Sequence, residues 1–141
     1  MTPLPVGYLL KRTHLLYRGL MDGRLAPLEC SAAMYEVLFH LHHGGPQSGS
    51  QVAAAAGVTP QTMHRQTKGM LEAGLLEARA GRGRAITLAL TPAGETLFGR
   101  ACDELEALEA QLAQGLSADE RAELGRLLQR AEQNLQPLPS D

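Results

Sequence analysis

Apolar residues recur along most of the chain with the 3.6-residue period of an amphipathic α-helix. A wide leucine stripe predicts a helix over residues 7–22, and two more stripes predict long helices over 92–114 and 118–135. Each stripe is too apolar to remain in water, so we expect all three helices to be covered. One small core cannot cover all three, which favours burial against a second copy of the chain over burial within the chain itself.

Between these outer helices, capping signals divide the sequence into short elements. Ser31 is a good N-cap for a helix, Ser48 and Gln51 have the spacing of a capping box, and Thr59-Pro60 combines an N-cap with proline at the first helical position. Gly57 suits the left-handed position that ends a helix. The predicted helices are 32–43, 49–56 and 60–73.

A β-hairpin is predicted directly after the third of these helices. Residues 75–79 and 84–90 surround the turn Gly81-Arg82-Gly83, and Ile86, Leu88 and Leu90 alternate with smaller residues as in a half-buried strand. A short helix, a three-residue turn and a longer helix form a helix-turn-helix, and the hairpin adds a wing. The predicted fold class is therefore mainly α with a small β-hairpin wing.

Composition is that of one ordinary domain, but charge is distributed unevenly. The 141 residues are 44% hydrophobic and 20% charged, with a net charge of −2. Residues 59–84 carry +3, whereas 95–141 carry −6. A local basic segment favours contact with a polyanion even in an acidic protein. The alternative is a solvated loop that contains a few arginines.

Several classes of protein are disfavoured. Two cysteines, 72 positions apart, cannot form a disulfide framework or a zinc ribbon. The sequence has no run of 18 apolar residues and no secretory signal, so we expect a cytoplasmic protein. It contains no nucleophile elbow, phosphate-binding loop or zinc-protease motif, so we expect neither an enzyme nor a cofactor.

Five segments, in this order and spacing, resemble the MarR (multiple antibiotic resistance regulator) family. They are Met34-Tyr35-Glu36-Val37-Leu38, Ser48-Gly49-Ser50-Gln51-Val52-Ala53, Gly57-Val58-Thr59-Pro60-Gln61-Thr62-Met63-His64-Arg65, Glu72-Ala73-Gly74-Leu75-Leu76 and Leu90-Thr91-Pro92-Ala93-Gly94. The resemblance implies one domain over 1–141, a winged helix-turn-helix DNA-binding core over 31–91, and dimerisation helices over 5–22 and 92–136.

The wing departs from the pattern of that family. Its members usually have an Asp-x-Arg motif, in which the aspartate orients the arginine. Arg84 matches the arginine, but Arg82 stands where the aspartate would be, and the wing looks a few residues short. A third arginine could strengthen phosphate attraction while loosening the geometry.

The residues expected to contact DNA lie on the predicted recognition helix 60–73 and on the wing. The helix N-terminus offers free N–H groups and a partial positive charge, glutamine can pair with adenine and arginine with guanine, and Lys68 suits a phosphate. The alternative is that Thr59 only caps the helix and Gln61 is only solvated. The predicted DNA-binding set is Ser48, Thr59, Gln61, Thr62, His64, Arg65, Lys68, Arg79, Arg82 and Arg84.

Effector-binding residues are implied by the resemblance, because the family commonly binds small phenolic or anionic ligands between its dimer helices and winged domain. The residues expected to line such a pocket are His14, Tyr17, Arg18, Met34 and Tyr35. Each has a plain alternative as a core residue or a surface charge.

Three histidines and two cysteines raise the alternative of a metal or redox switch. His40, His42 and His43 fall at the end of a helix, where polar and cationic groups are favoured, and no metal-binding motif accompanies them. We therefore predict no metal site. Cys30 and Cys102 are more typical of inert core thiols.

Together these observations predict a homodimeric transcriptional regulator that binds a palindromic double-stranded operator. A repressor relieved by a small-molecule effector is the favoured form. The alternatives are a protein-interaction module with the same fold but without specific DNA binding, and a metal- or redox-switched regulator.

Overall fold

The computed structural model describes residues 2–81, 83 and 85–136. Within them, six α-helices and one antiparallel hairpin follow in the predicted order, so the predicted fold class is confirmed. Element ends differ from the predicted ones by at most three residues. The elements are α1 (Val6–Leu25), α2 (Ala32–Gly44), α3 (Gly49–Ala56), α4 (Pro60–Glu72), β1 (Leu76–Ala80), β2 (Ile86–Leu90), α5 (Pro92–Leu112) and α6 (Ala118–Leu135).

The chain divides into two compact units, residues 1–108 and 109–141. In the first unit one hydrophobic core draws on the helix-turn-helix and on elements that flank it in sequence. Its largest fully buried side chains are Leu25, Leu38, Met70, Leu108, Val37 and Val52. No described helix is both long enough and apolar enough to cross a membrane.

The helices of the first unit begin at the predicted capping residues. Ser48 and Gln51 form a capping box at the start of α3, and Gly57 ends that helix in the left-handed conformation. At α2, the Ser31 hydroxyl accepts a hydrogen bond from the Met34 amide. The carboxylate of Asp22, on α1, accepts a second hydrogen bond, from the Ala32 amide at 2.7 Å. Two of the four free amides of α2 are therefore satisfied by side chains, one of them from another helix.

The hairpin is wider than predicted. β1 pairs with β2 from Leu76 opposite Leu90 to Ala80 opposite Ile86. On the other edge of β2, Gln47 and Leu88 exchange two backbone hydrogen bonds, of 3.1 and 2.7 Å. An isolated β-bridge from the α2–α3 connection therefore covers part of the outer edge of β2.

The predicted burial of the second strand is wrong at its outer end. Leu88 is buried as expected, but Ile86 is 62% exposed and the buried neighbour of Leu88 is Ala89. Ile86 lies near the wing tip, where the hairpin extends past the core. Its inner face there borders only an open groove beside α4.

A close approach joins the start of α5 to the end of the helix-turn-helix. The Thr91 hydroxyl donates a hydrogen bond to the Gly74 carbonyl at 2.6 Å, and the Thr91 amide donates one to the Leu75 carbonyl at 3.1 Å. The same hydroxyl accepts a bond from the Gly94 amide. A Cβ atom at Gly94 would lie 2.2 Å from the Leu75 carbonyl oxygen, so only glycine fits there.

Two helices present apolar side chains to solvent within their own units. On α1, a row of leucines is exposed, with Leu16 at 59%. In the second unit α6 buries no residue, and Leu127 on it is 47% exposed. The sequence predicts an inner stripe of Leu97, Ala101, Leu105, Leu108 and Leu112 on α5. Within the second unit Leu112 is 45% exposed, whereas Phe98, which lies outside that stripe, is buried.

We expect Gly94→Ala to lower the free energy of unfolding by about 1–3 kcal/mol, because the added methyl group must displace backbone. Urea denaturation measures this effect. The control is Gly99→Ala on the same helix, where a Cβ meets nothing within 4 Å. The control should be unchanged or more stable by up to about 1 kcal/mol. Equal stability of the two variants would contradict the proposed close contact.

Candidate nucleic-acid interface

Helix α4, the predicted recognition helix, has one buried and one exposed face. Met63, Thr67 and Met70 are buried in the first unit, which fixes the rotation of the helix about its axis. Positions 61, 64, 65 and 68 fall on the opposite face, since residues three and four apart are neighbours on a helix. The exposed polar side chains there are Gln61, His64, Arg65 and Lys68, which with Pro60 line a shallow hollow of about 580 Å³.

The N-terminus of α4 is closed by its own threonines. The Thr59 hydroxyl accepts a hydrogen bond from the Thr62 amide at 3.2 Å and donates one to the Thr62 hydroxyl at 3.0 Å. Both side chains are exposed at the end of the helix whose amides are most electropositive. These two predicted contact residues are therefore close together and already share a hydrogen bond.

Ser48 reaches the same side of the molecule from the start of α3. Its hydroxyl accepts a hydrogen bond from the Gln51 amide, so it caps α3 as well as lining a groove of about 630 Å³ between α3, α4 and the hairpin. The surface that lines the groove is mainly apolar. The groove is lined by Ser48, Gly49, Ser50, Pro60, His64, Thr67, Lys68, Leu71, Glu72, Ala78, Ile86 and Leu88.

Arg79 on β1 differs from the cations of α4 because it has a partner. Its guanidinium donates two hydrogen bonds to one carboxylate oxygen of Glu77, at 2.8 Å from Nε and 2.5 Å from Nη2. Sequence reasoning missed this pair, although charges two residues apart in a strand lie on the same face. Arg82 and Arg84, the other predicted wing contacts, lie outside the described residues.

The predicted effector residues lie on α1 and α2. Tyr17, Met34 and Tyr35 are half-buried and pack against the core, while His14 is exposed. Arg18 is half-buried, and its guanidinium lies 3.7 Å from a carboxylate oxygen of Glu36. Met34 also borders a cavity of about 460 Å³ beside α4.

The histidines at the end of α2 form an aromatic cluster. The ring of His42 lies 4.4 Å from that of Phe98, and His43 lies 4.4 Å from Phe39. His42 Nδ1 is 2.8 Å from a carboxylate oxygen of Glu95. Within residues 2–81, 83 and 85–136, no group of three or more histidine, cysteine or acidic side chains could hold a metal ion. The positions of the rings fit a role in joining α2 to α5.

Neither Cys30 nor Cys102 forms a disulfide bond. Cys30 is buried just before α2, and burial, together with the nearby charge of Asp22, raises the pKa of its thiol. Cys102 is half-buried on α5 and packs against the core. Because the thiolate is the reactive form, a raised pKa makes Cys30 a poor nucleophile.

Known proteins share this architecture. A sequence model of the MarR family matches residues 32–85. Wild-type apo MarR from E. coli has a TM-score of 0.81 at 22% identity, over 92% of this chain and 98% of that chain. A mutant MarR from E. coli complexed with operator DNA has the same TM-score and identity, over 91% and 94%. At such identity these two structures show the fold alone.

A higher sequence identity is found with the Mycobacterium tuberculosis MarR family protein Rv2887, solved in complex with salicylic acid. It is 30% identical over 92% of this chain and 97% of that chain, with a TM-score of 0.75. The chain belongs to the MarR family. The family resemblance predicted from the sequence is thus confirmed, and MarR family proteins are transcriptional regulators.

We expect Cys30 to resist alkylation in this MarR family protein. At pH 8, iodoacetamide should label Cys30 many times more slowly in the folded protein than in urea, because the folded state disfavours its thiolate. Peptide mass spectrometry over a time course measures each cysteine separately. Labelling at the same rate in both states would overturn the assignment of Cys30 as an inert thiol and revive the redox alternative.

Proposed function

We propose that this MarR family protein is a homodimeric, sequence-specific DNA-binding repressor whose binding is relieved by a small-molecule effector. The observation that carries the proposal is the exposed polar face of α4, with Gln61, His64, Arg65 and Lys68 in one row. The division of labour is a core over 31–91 that binds DNA and helices over 5–22 and 92–136 that hold two copies together.

In this proposal α4 enters the major groove. Gln61 and Arg65 contact base edges, where glutamine pairs with adenine and arginine with guanine, and Lys68 contacts a phosphate. Thr59 and Thr62 contact the backbone at the helix N-terminus, and Ser48 does so from α3. Arg79, Arg82 and Arg84 contribute phosphate or minor-groove contacts from the wing. Rv2887 has been solved in complex with DNA, and a mutant E. coli MarR in complex with operator DNA, which supports DNA as the partner.

The proposed dimer uses the exposed leucines of α1 and α6. Leu16 on α1 is 59% exposed and Leu127 on α6 is 47% exposed, and each lies in apolar surface that a monomer in water would leave uncovered. A two-fold dimer would set two recognition helices about one DNA turn apart, which suits a palindromic operator.

The proposed effector is a small aromatic acid. Rv2887 forms complexes with salicylic acid and with p-aminosalicylic acid. In this chain Arg18 would supply a cation for the carboxylate, and Tyr17 and Tyr35 would supply rings beside the aromatic group, with His14 and Met34 completing the site. Binding would displace Arg18 from Glu36 and lower the affinity for DNA.

We predict that Arg65→Ala and Gln61→Ala each weaken operator binding by about 5- to 150-fold, since a bidentate base contact contributes roughly 1–3 kcal/mol. The assay is a gel shift with DNA that flanks the protein's own gene, in the presence of excess competitor DNA and at several salt concentrations. A parallel titration with salicylate tests for release.

The control for this gel shift is Arg24→Ala, which removes the same charge from an exposed position in the last turn of α1, outside the segments proposed to bind DNA or a second copy. Its affinity should stay within about twofold of the parent's. If the parent gives no salt-sensitive, competitor-resistant shift, the protein-interaction alternative is favoured instead. If Arg65→Ala binds as the parent does, α4 is not the recognition helix.

We predict that light scattering at micromolar concentration gives the parent twice the 15.1 kDa mass of the chain. Leu16→Glu and Leu127→Glu should each shift the mass to that of one chain, because a buried unpaired charge opposes association. Val58→Glu, at an exposed apolar position in the turn before α4, should leave the mass unchanged. A parent of single-chain mass would refute the dimer.

A further inference from the structure

On β1, Arg79 is one of the cations of the proposed DNA interface, and it is paired with Glu77. Glu77 and Arg79 are separated by one residue, so both side chains project from the same face of the strand. The two hydrogen bonds from Nε and Nη2 of Arg79 to one oxygen of Glu77 use the edge of the guanidinium that would also grip a phosphate. Both side chains remain about half exposed, at 54% and 46%, so DNA can reach them.

The cations of α4 are in a different state. Within the described residues neither Arg65 nor Lys68 has a carboxylate within 4 Å, although both are exposed. Arg65 and Lys68 can therefore meet DNA without first losing an ionic partner. Arg79 must exchange Glu77 for a phosphate, and the carboxylate of Glu77 is then left beside a negatively charged backbone.

We propose that Glu77 competes with DNA phosphate for Arg79 and thereby holds operator affinity below what the basic residues alone would give. Glu77 is thus a positioning residue that acts through Arg79. The inference rests on the proposed function, because it requires that the hairpin meets DNA. It adds that the wing strand carries a built-in competitor for its own cation.

Competition of this kind has a specific salt signature. Each phosphate contact that releases a counterion steepens the fall of log affinity with log salt by about 0.9. When Arg79 pairs with Glu77 instead of a phosphate, fewer counterions are released from the DNA. Salt also weakens the attraction between Arg79 and Glu77. Removing Glu77 should therefore raise affinity most at low salt.

The test is a double-mutant cycle of Glu77→Gln and Arg79→Ala, measured by gel shift. Two DNAs are compared, the fragment that flanks the protein's own gene and an unrelated fragment. Glu77→Gln should tighten binding up to about fivefold per engaged wing, on both DNAs, because an exposed pair of this kind is weak. Its salt slope should steepen by up to about 0.9 per engaged wing. In the Arg79→Ala background, Glu77→Gln should tighten binding clearly less, because only the repulsion between Glu77 and the phosphates is then removed.

The control is Glu29→Gln. It removes the same charge at an exposed position between α1 and α2, outside the proposed DNA-binding core and the proposed dimerisation helices. Affinity and salt slope of this variant should equal those of the parent.

Each outcome decides a different point. If Glu77→Gln tightens binding equally with and without Arg79, general charge repulsion explains the effect and the competition is refuted. If it weakens binding or leaves it unchanged while the parent still shifts operator DNA, the inference fails and the proposed function stands. If the parent shifts no DNA, both fail.

Discussion

The contact between Gly94 and the Leu75 carbonyl sets the position of the hairpin relative to α4. The chain leaves α4, forms the hairpin and returns at Thr91, whose hydroxyl and amide hold the carbonyls on which α4 ends. The start of β1 and the end of β2 are therefore held at one fixed place. A side chain at Gly94 would force these groups apart, and the groove between α4 and the hairpin would change shape with them.

Among the described residues, the exposed cations fall into two groups, those that pair with a carboxylate and those that do not. α4 presents cations without partners within the described residues, while the hairpin and α6 hold arginines that carboxylates already occupy. The net charge of −2 conceals this arrangement, because attraction for a polyanion depends on the cations that are available locally. Pairing, as much as composition, decides how basic the proposed interface is.

Sequence reasoning succeeded where the signal lies in neighbouring residues. Thr59 followed by proline marked the start of α4, and periodicity alone put four polar residues on its outer face. It missed contacts between residues distant in sequence, such as Asp22 with the amide of α2 and Gln47 with β2, because no local pattern states which chain ends meet. It also missed the pairing of Arg79, which depends on the rotamers of two exposed side chains.

The hydrogen bond from the Ala32 amide to Asp22 has a consequence for where this protein can be cut. The segment 32–85 that matches the family begins at the amide which that carboxylate satisfies, and it omits the buried Leu25 and Leu108. A fragment trimmed to the matched segment would expose the underside of α2 and leave its first turn uncapped. The minimal folding unit is thus larger than the segment that matches the family, and α1 and α5 contribute to its core as well as to its surface.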